Sequence, residues 1–149
     1  GAKPYFDRVN IHPFVNPVDL SKRPLSKVVS LDVDEVEKIM KKYGDHFKKI
    51  WITELGCPGR DPETVPWNPQ SPKTWFLGET TSEEKQAEFI YDLFTELKKE
   101  TRIEALFWAF LRDTRHFKDD TDYLGILHWD SSPKKSYLKL CEALSENRP

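Results

Sequence analysis

The sequence has little cysteine, no excess of charge of either sign and no long apolar run, and each shortage removes a class of protein. Cysteine occurs twice, at Cys57 and Cys141. The two are far apart and lack metal-ligand spacing, so neither a disulfide framework nor a zinc site is expected. Lysine plus arginine number 23 against 25 aspartate plus glutamate, and a nucleic-acid binder would show a basic excess. No stretch approaches the length of a membrane span, so no membrane partner is expected. No Gly-x-Gly-x-x-Gly follows a strand and no phosphate-binding P-loop is present. No cofactor and no metal are therefore expected. Internal repeats and low-complexity segments are missing too. Gly1-Ala2 stands where an initiator methionine would, and no signal peptide follows. We expect a chain cut from something longer, with its compartment left open.

What is present fits one ordinary domain of 149 residues, with enough apolar and aromatic residues for a packed core. Three of the five tryptophans, Trp67, Trp75 and Trp129, fall in segments that read as loops, a hint of flat, exposed binding surfaces.

One stretch organises the rest: Lys49-Lys-Ile-Trp-Ile-Thr-Glu-Leu-Gly-Cys-Pro58. Ile50, Trp51 and Ile52 are strand formers in a run too short for a helix. Thr53 and Glu54 follow, and then Gly56 and Pro58 break regular structure. An acid where a buried strand opens into a loop is costly unless it has a partner or a task. Glu54 is therefore the first candidate for a catalytic residue; the structural alternative is an ion pair with Arg60 or Lys49.

In chain order, Tyr5 to Ile11 reads as a strand ended by His12-Pro13. A polar loop is expected from Phe14 to Leu31. Asp32 with Glu35 reads as a capping box, opening a helix with Val33, Val36, Ile39, Met40 and Tyr43 on one face; Gly44 ends it. The second strand spans about residues 49 to 53. The long segment from Leu55 to Thr80, with Trp67, Trp75 and Phe76, reads as a functional loop. Thr81 with Glu84 caps a helix carrying Ala87, Ile90, Tyr91, Phe94 and Leu97. The third strand, Ile103 to Phe110, is apolar almost throughout, as in parallel sheets with both faces covered. After a loop from Leu111 to Ser131, Pro133 falls in the first turn of a last helix whose buried face is Tyr137, Leu140, Cys141 and Leu144. Strand–helix alternation three times over predicts adjacent parallel strands in chain order, in three layers. His12, Glu54 and Trp108 then share the carboxyl end of the sheet, which carries the active site in barrels of alternating strands and helices. Carboxylate, imidazole and indole suit carbohydrate chemistry.

Four segments carry a family resemblance. Phe6-Asp7-Arg8-Val9-Asn10-Ile11-His12-Pro13-Phe14 resembles the sixth strand of the clan A glycoside hydrolases. Ile50-Trp51-Ile52-Thr53-Glu54-Leu55-Gly56 resembles the seventh, which ends in the nucleophilic glutamate. Ala105-Leu106-Phe107-Trp108-Ala109-Phe110 resembles the eighth. Gly125-Ile126-Leu127, Asp130, Ser132-Pro133-Lys134, Tyr137 and Leu138 resemble the closing segment before the last helix. The resemblance implies an α/β fold that is part of a TIM (β/α)₈ barrel, three parallel β-α units from its C-terminal portion. It implies a retaining hydrolase acting on a poly- or oligosaccharide, with paired carboxyl groups ~5–5.5 Å apart. On it Glu54 is the nucleophile, His12 orients it, and Trp108 floors the sugar subsite. Trp67, Trp75, Asn10 and Arg112 join Trp108 as candidate substrate contacts.

The chain also departs from the family. The acid/base glutamate of the family follows an asparagine, and no Asn-Glu dipeptide occurs here. A whole barrel takes about 250 residues. The resemblance thus implies a fragment with the nucleophile but without the proton donor, self-associating or pairing with the missing N-terminal part of the barrel. The alternative is a non-catalytic half-barrel module that self-associates or binds carbohydrate. Blander readings stand beside the sharp ones: His12 as a strand cap, Trp108 as core, Trp67, Trp75 and Phe76 as loop anchors, Arg112 and Asp113 as an ion pair. Asp119, Asp120 and Asp122 read as a solvated loop, since they lack the glycine and glutamate of an EF-hand. Should a proton donor lie within this chain, Asp113 is the first suspect.

Overall fold

The structure, a computed structural model, describes residues 3–14, 25–60, 82–117 and 120–146. Its elements are β1 (Arg8–Ile11), α1 (Leu25–Tyr43), β2 (Lys49–Leu55), α2 (Glu83–Leu97), β3 (Ile103–Trp108) and α3 (Lys135–Ser145), with 3₁₀ turns at Lys3–Tyr5 and Asp120–Tyr123. The sheet order is β1-β2-β3. Both pairs are parallel, with Arg8 opposite Lys49, Ile11 opposite Ile52 and Ile50 opposite Ile103. The expected α/β alternation, with adjacent parallel strands in chain order, is what the chain adopts.

The core lies between the sheet and two helices. Val29, Val33 and Met40 of α1 meet Ile50, Ile52 and Leu55 of β2, Cys57, and Leu93 and Leu97 of α2. Helical spacing of three and four puts the helix residues on one stripe, and alternation puts Ile50 and Ile52 on one sheet face. Each such burial stabilises by roughly 1.5–3 kcal/mol. The helix α3 packs on α2 rather than on the sheet.

The other sheet face is open, which corrects the three-layer expectation. Trp51 is 36% and Phe107 51% exposed, and Arg8, Asn10 and Glu104 on that side are exposed as well. The apolar run of β3 gave the wrong cue: Ile103, Leu106 and Trp108 lean on the core, while Phe107 faces outward. Arg8 spans the sheet there to Glu104, whose carboxylate also accepts from Trp51 Nε1 at 2.6 Å.

Three helix details depart from the sequence reading. The helix α1 begins at Leu25, so Asp32 sits inside it and is no N-cap. Its amino end is held from another element, with Ser26 N–H donating to Asp92 Oδ2 of α2 at 3.1 Å. Gly44 does end it, at φ +73°, where a side chain would be strained; Asp45 N–H returns to Met40 O at 2.8 Å. In α2 the capping oxygen belongs to Ser82, which accepts from Lys85 N–H; Thr81 lies outside the described residues. The helix α3 starts at Lys135, with Pro133 just outside it. Its buried residues are Ser136 and Ala143, whereas Tyr137, Cys141 and Leu144 are exposed. Small residues face α2 because the two helices pack closely and Ser136 must reach a polar partner there.

Candidate active site

The position of Glu54 depends on one extra residue. Ile52 pairs with Leu106, and the next pair is Leu55 with Trp108, so Thr53 and Glu54 stand opposite Phe107 alone. This is a β-bulge, which re-aims the side chains beside it. Strict alternation after Ile50 and Ile52 would turn Glu54 to the helix-covered face. The bulge gives that place to Leu55, which is fully buried, and leaves the Glu54 side chain 47% exposed.

Three neighbours gather at this turn. Glu54 Oε2 lies 3.6 Å from His12 Nδ1. His12 Nε2 is 2.8 Å from Thr53 Oγ1, and Thr53 Oγ1 donates to Asn10 Oδ1 at 2.5 Å. The threonine hydroxyl has one hydrogen, spent on Asn10, so in its contact with His12 it accepts and the Nε2–H donates. Asn10 therefore fixes Thr53 and Thr53 fixes the imidazole, which leaves Nδ1 as the nitrogen 3.6 Å from the Glu54 carboxylate, an ion-pair contact only when the ring carries both protons. This sets an exposed carboxylate beside an oriented, exposed ring.

The backing is rigid. Residues 55–60 are all buried. Gly56 is needed for close approach, because a Cβ there would come within 2.4 Å of Ala109 O. Gln86 Nε2 lies within hydrogen-bond reach of four carbonyl oxygens, of Cys57, Tyr123, Leu124 and Gly125, and its Oε1 accepts from Ser136 Oγ at 2.8 Å. Lys134 Nζ donates to Gly59 O at 2.7 Å and to Asp113 at 2.8 Å. These buried donors tie the loop after Glu54 to the segment after β3 and to α3.

The other candidates are placed as follows. Trp108 is half-buried, donates Nε1–H to Leu124 O at 2.9 Å and leans on the core cluster. Arg112 lies near the Trp129 ring and does not pair with Asp113. Asp113 is buried against Lys134 and also accepts from Gly125 N–H. Burial raises its carboxyl and lowers the Lys134 ammonium, but with both partners engaged Asp113 serves as a structural anchor and is not exposed as a proton donor. Glu104 is held below its ordinary range by the Arg8 guanidinium, the wrong direction for a general acid. Arg60 lies 3.7 Å from Asp120. Asp122, expected to be solvated, is buried and accepts from the His116 and Phe117 N–H groups. Burial pushes the Cys57 thiol up, so it is no nucleophile. Trp67, Trp75 and Phe76, as well as Asp119, lie outside the described residues. No group of three or more metal-ligating side chains occurs among the described residues.

Reading the sequence passed over Thr53, Gln86 and Lys134. Thr53 gave a signal in standing directly before Glu54. Lys134 was visible in Ser132-Pro133-Lys134, while Gln86 on a helix gave none.

No protein-family model matches the chain, and no curated relative matches it. Solved structures do share its fold. A Bifidobacterium dentium beta-glucuronidase complexed with coumarin-3-O-glucuronide superposes with a TM-score of 0.63 at 21% identity, over 97% of this chain and 21% of that one. A GH2 beta-galacturonidase from Eisenbergiella tayi bound to galacturonate gives 0.64 at 15% identity, over 95% and 24%. The glycoside hydrolase family 17 beta-1,3-glucanosyltransferase from Rhizomucor miehei gives 0.56 at 15% identity, over 87% and 41%. The class defined by fold is thus an α/β unit with a parallel sheet, of the kind found within glycoside hydrolases. The chain spans about a fifth to two-fifths of the length of these structures.

Proposed function

We propose that the chain is the C-terminal part of a retaining O-glycosyl hydrolase, strands six to eight of a (β/α)₈ barrel, with Glu54 as nucleophile. The observation that carries this reading is the bulge at Thr53–Glu54, which turns the carboxylate out of the core and beside His12. In the reaction Glu54 attacks the anomeric carbon, the glycosidic oxygen leaves with a proton, and water releases the glycosyl-enzyme. His12, held by Thr53 and Asn10, orients the carboxylate. Trp108 and Arg112 are proposed substrate contacts, as are Trp67 and Trp75. The proton donor comes from the remaining part of the barrel, since the acid/base of the resembled family follows an asparagine and this sequence holds no Asn-Glu dipeptide.

The test is Glu54→Gln in the whole enzyme. Turnover should disappear while folding and sugar binding persist, because the amide keeps the shape but cannot attack. A mechanism-based fluorosugar should label Glu54; labelling elsewhere rejects the assignment. A second reading, a non-catalytic module that self-associates or binds sugar, is favoured by the open sheet face. It predicts no labelling of Glu54 in any context.

A further inference from the structure

The segment between Leu111 and Ser131 holds a cluster of which the proposed function uses only Arg112. Trp129 is 48% exposed. The Arg115 guanidinium carbon stands 4.4 Å from its ring centroid and that of Arg112 stands 5.8 Å away. Both are within cation–π reach of about 6 Å. Apart from the ring, Arg112 has a 3.5 Å contact with Ser131 Oγ. Neither guanidinium meets a carboxylate among the described residues.

Of the acids near them in sequence, Asp119 lies outside the described residues, Asp120 lies 3.7 Å from Arg60, and three others have these partners. Asp113 holds Lys134 and Gly125. Asp122 holds Thr114 and two backbone N–H groups. Asp130 holds the Ser132 hydroxyl and N–H. Two like charges on one indole repel, and a bound anion removes that cost. The planar fork of arginine fits carboxylate and phosphate oxygens in pairs. An exposed indole supplies a flat apolar surface for a sugar ring. The segment follows β3, at the same end of the sheet as Glu54.

We propose that Arg112, Arg115 and Trp129 form a subsite for a sugar that carries an oxyanion, a uronate or a sugar phosphate. The sugar half of this proposal rests on the glycosidase reading; the anion half rests on the two arginines. The experiment follows the Trp129 indole N–H resonance, assigned with Trp129→Phe, in the 149-residue chain. Glucuronate, glucose 6-phosphate, glucose and inorganic sulfate are titrated separately. A shift with glucuronate alone assigns a uronate site, a shift with glucose 6-phosphate alone assigns a phosphate site, and either supports the proposal.

Arg115→Gln and Arg112→Gln should each weaken that ligand by about tenfold or more, as expected for loss of a charge-assisted hydrogen bond. Arg115→Lys, which keeps the charge, should lose less. Circular dichroism checks that each variant keeps its helices, and added salt should weaken binding of the unaltered chain in parallel. Equal response to glucose, equal response to sulfate, or no response to any of the four overturns the proposal. The readout is binding at Trp129 and requires no turnover. Failure here and failure of fluorosugar labelling are therefore separate results.

Discussion

At the residue scale, the candidate site depends on how Thr53 divides its one hydroxyl between two neighbours. It donates to Asn10 and accepts from His12, so Thr53→Val removes both contacts while keeping the branched shape. Each neutral hydrogen bond contributes about 0.5–1.5 kcal/mol. In the whole enzyme proposed above kcat should fall by roughly tenfold to a hundredfold, with stability lowered by about 1–3 kcal/mol. Unaltered kcat would show that the histidine needs no holding. Lys134 poses the opposite case, because its role is stability. It is 1% exposed and its ammonium meets Asp113 and the Gly59 carbonyl. Lys134→Met leaves the Asp113 charge buried and should cost about 3–5 kcal/mol. Replacing Asp113 by Leu as well should restore much of the loss, because removing both charges leaves no buried ion unpaired. Urea unfolding of the two variants checks this, and a double variant as weak as the single one would count against a paired role.

At the element scale, the strands were legible because Ile50-Trp51-Ile52 and the run from Ile103 are local signals of strand-forming residues. Gly44 was legible because only glycine takes its turn cheaply. The start of α1 was not, since the Ser26 N–H in its first turn is satisfied by Asp92, 66 residues away, and no local pattern encodes that. The face of α3 misled for a related reason. Tyr137, Cys141 and Leu144 form an apolar stripe, yet Ser136 is buried by its bond to Gln86. The bulge at Thr53 was also illegible, since register depends on the partner strand; the sequence pointed to Glu54 as a site without saying how it escapes the core. Arg102 shows how elements are tied across distance, joining Glu100 beside it to Asp34 and Glu37 of α1. Its guanidinium holds the Glu100 carboxyl below the ordinary 4.5. A depressed carboxyl contributes stability that is present above the unfolded value and is lost as pH falls through the folded one. Stability should therefore decline on acidification below about pH 4.5. Arg102→Leu should start about 1–3 kcal/mol lower at neutral pH and decline less steeply in acid. Parallel acid limbs in the two proteins would remove Arg102 from the account.

At the scale of the whole molecule, three strands make an open sheet. Among the described residues, β1 and β3 each have one unpaired edge, and such edges are templates for pairing with another chain. The open face adds Trp51 and Phe107, whose rings lie 6.3 Å apart. Adjoining exposed aromatics on a sheet face mark an interaction surface more often than a solvated one. Within a larger barrel the remaining strands would cover both features; alone, the chain has copies of itself to use. Sedimentation of the 149-residue chain should show a dimer or larger species. Phe107→Lys, which puts a charge on the open face without touching the buried one, should shift it toward monomer. On the proposed glycosidase reading the same chain should show little or no turnover, because general acid help is typically worth ~10²–10⁴-fold and that reading places its source in the rest of the barrel. Activated aryl glycosides, whose leaving groups need no proton, should still react slowly and stop reacting in Glu54→Gln. A stable monomer with ordinary turnover would contradict both expectations, since a chain that neither pairs nor lacks a proton donor would be a complete enzyme built on three strands.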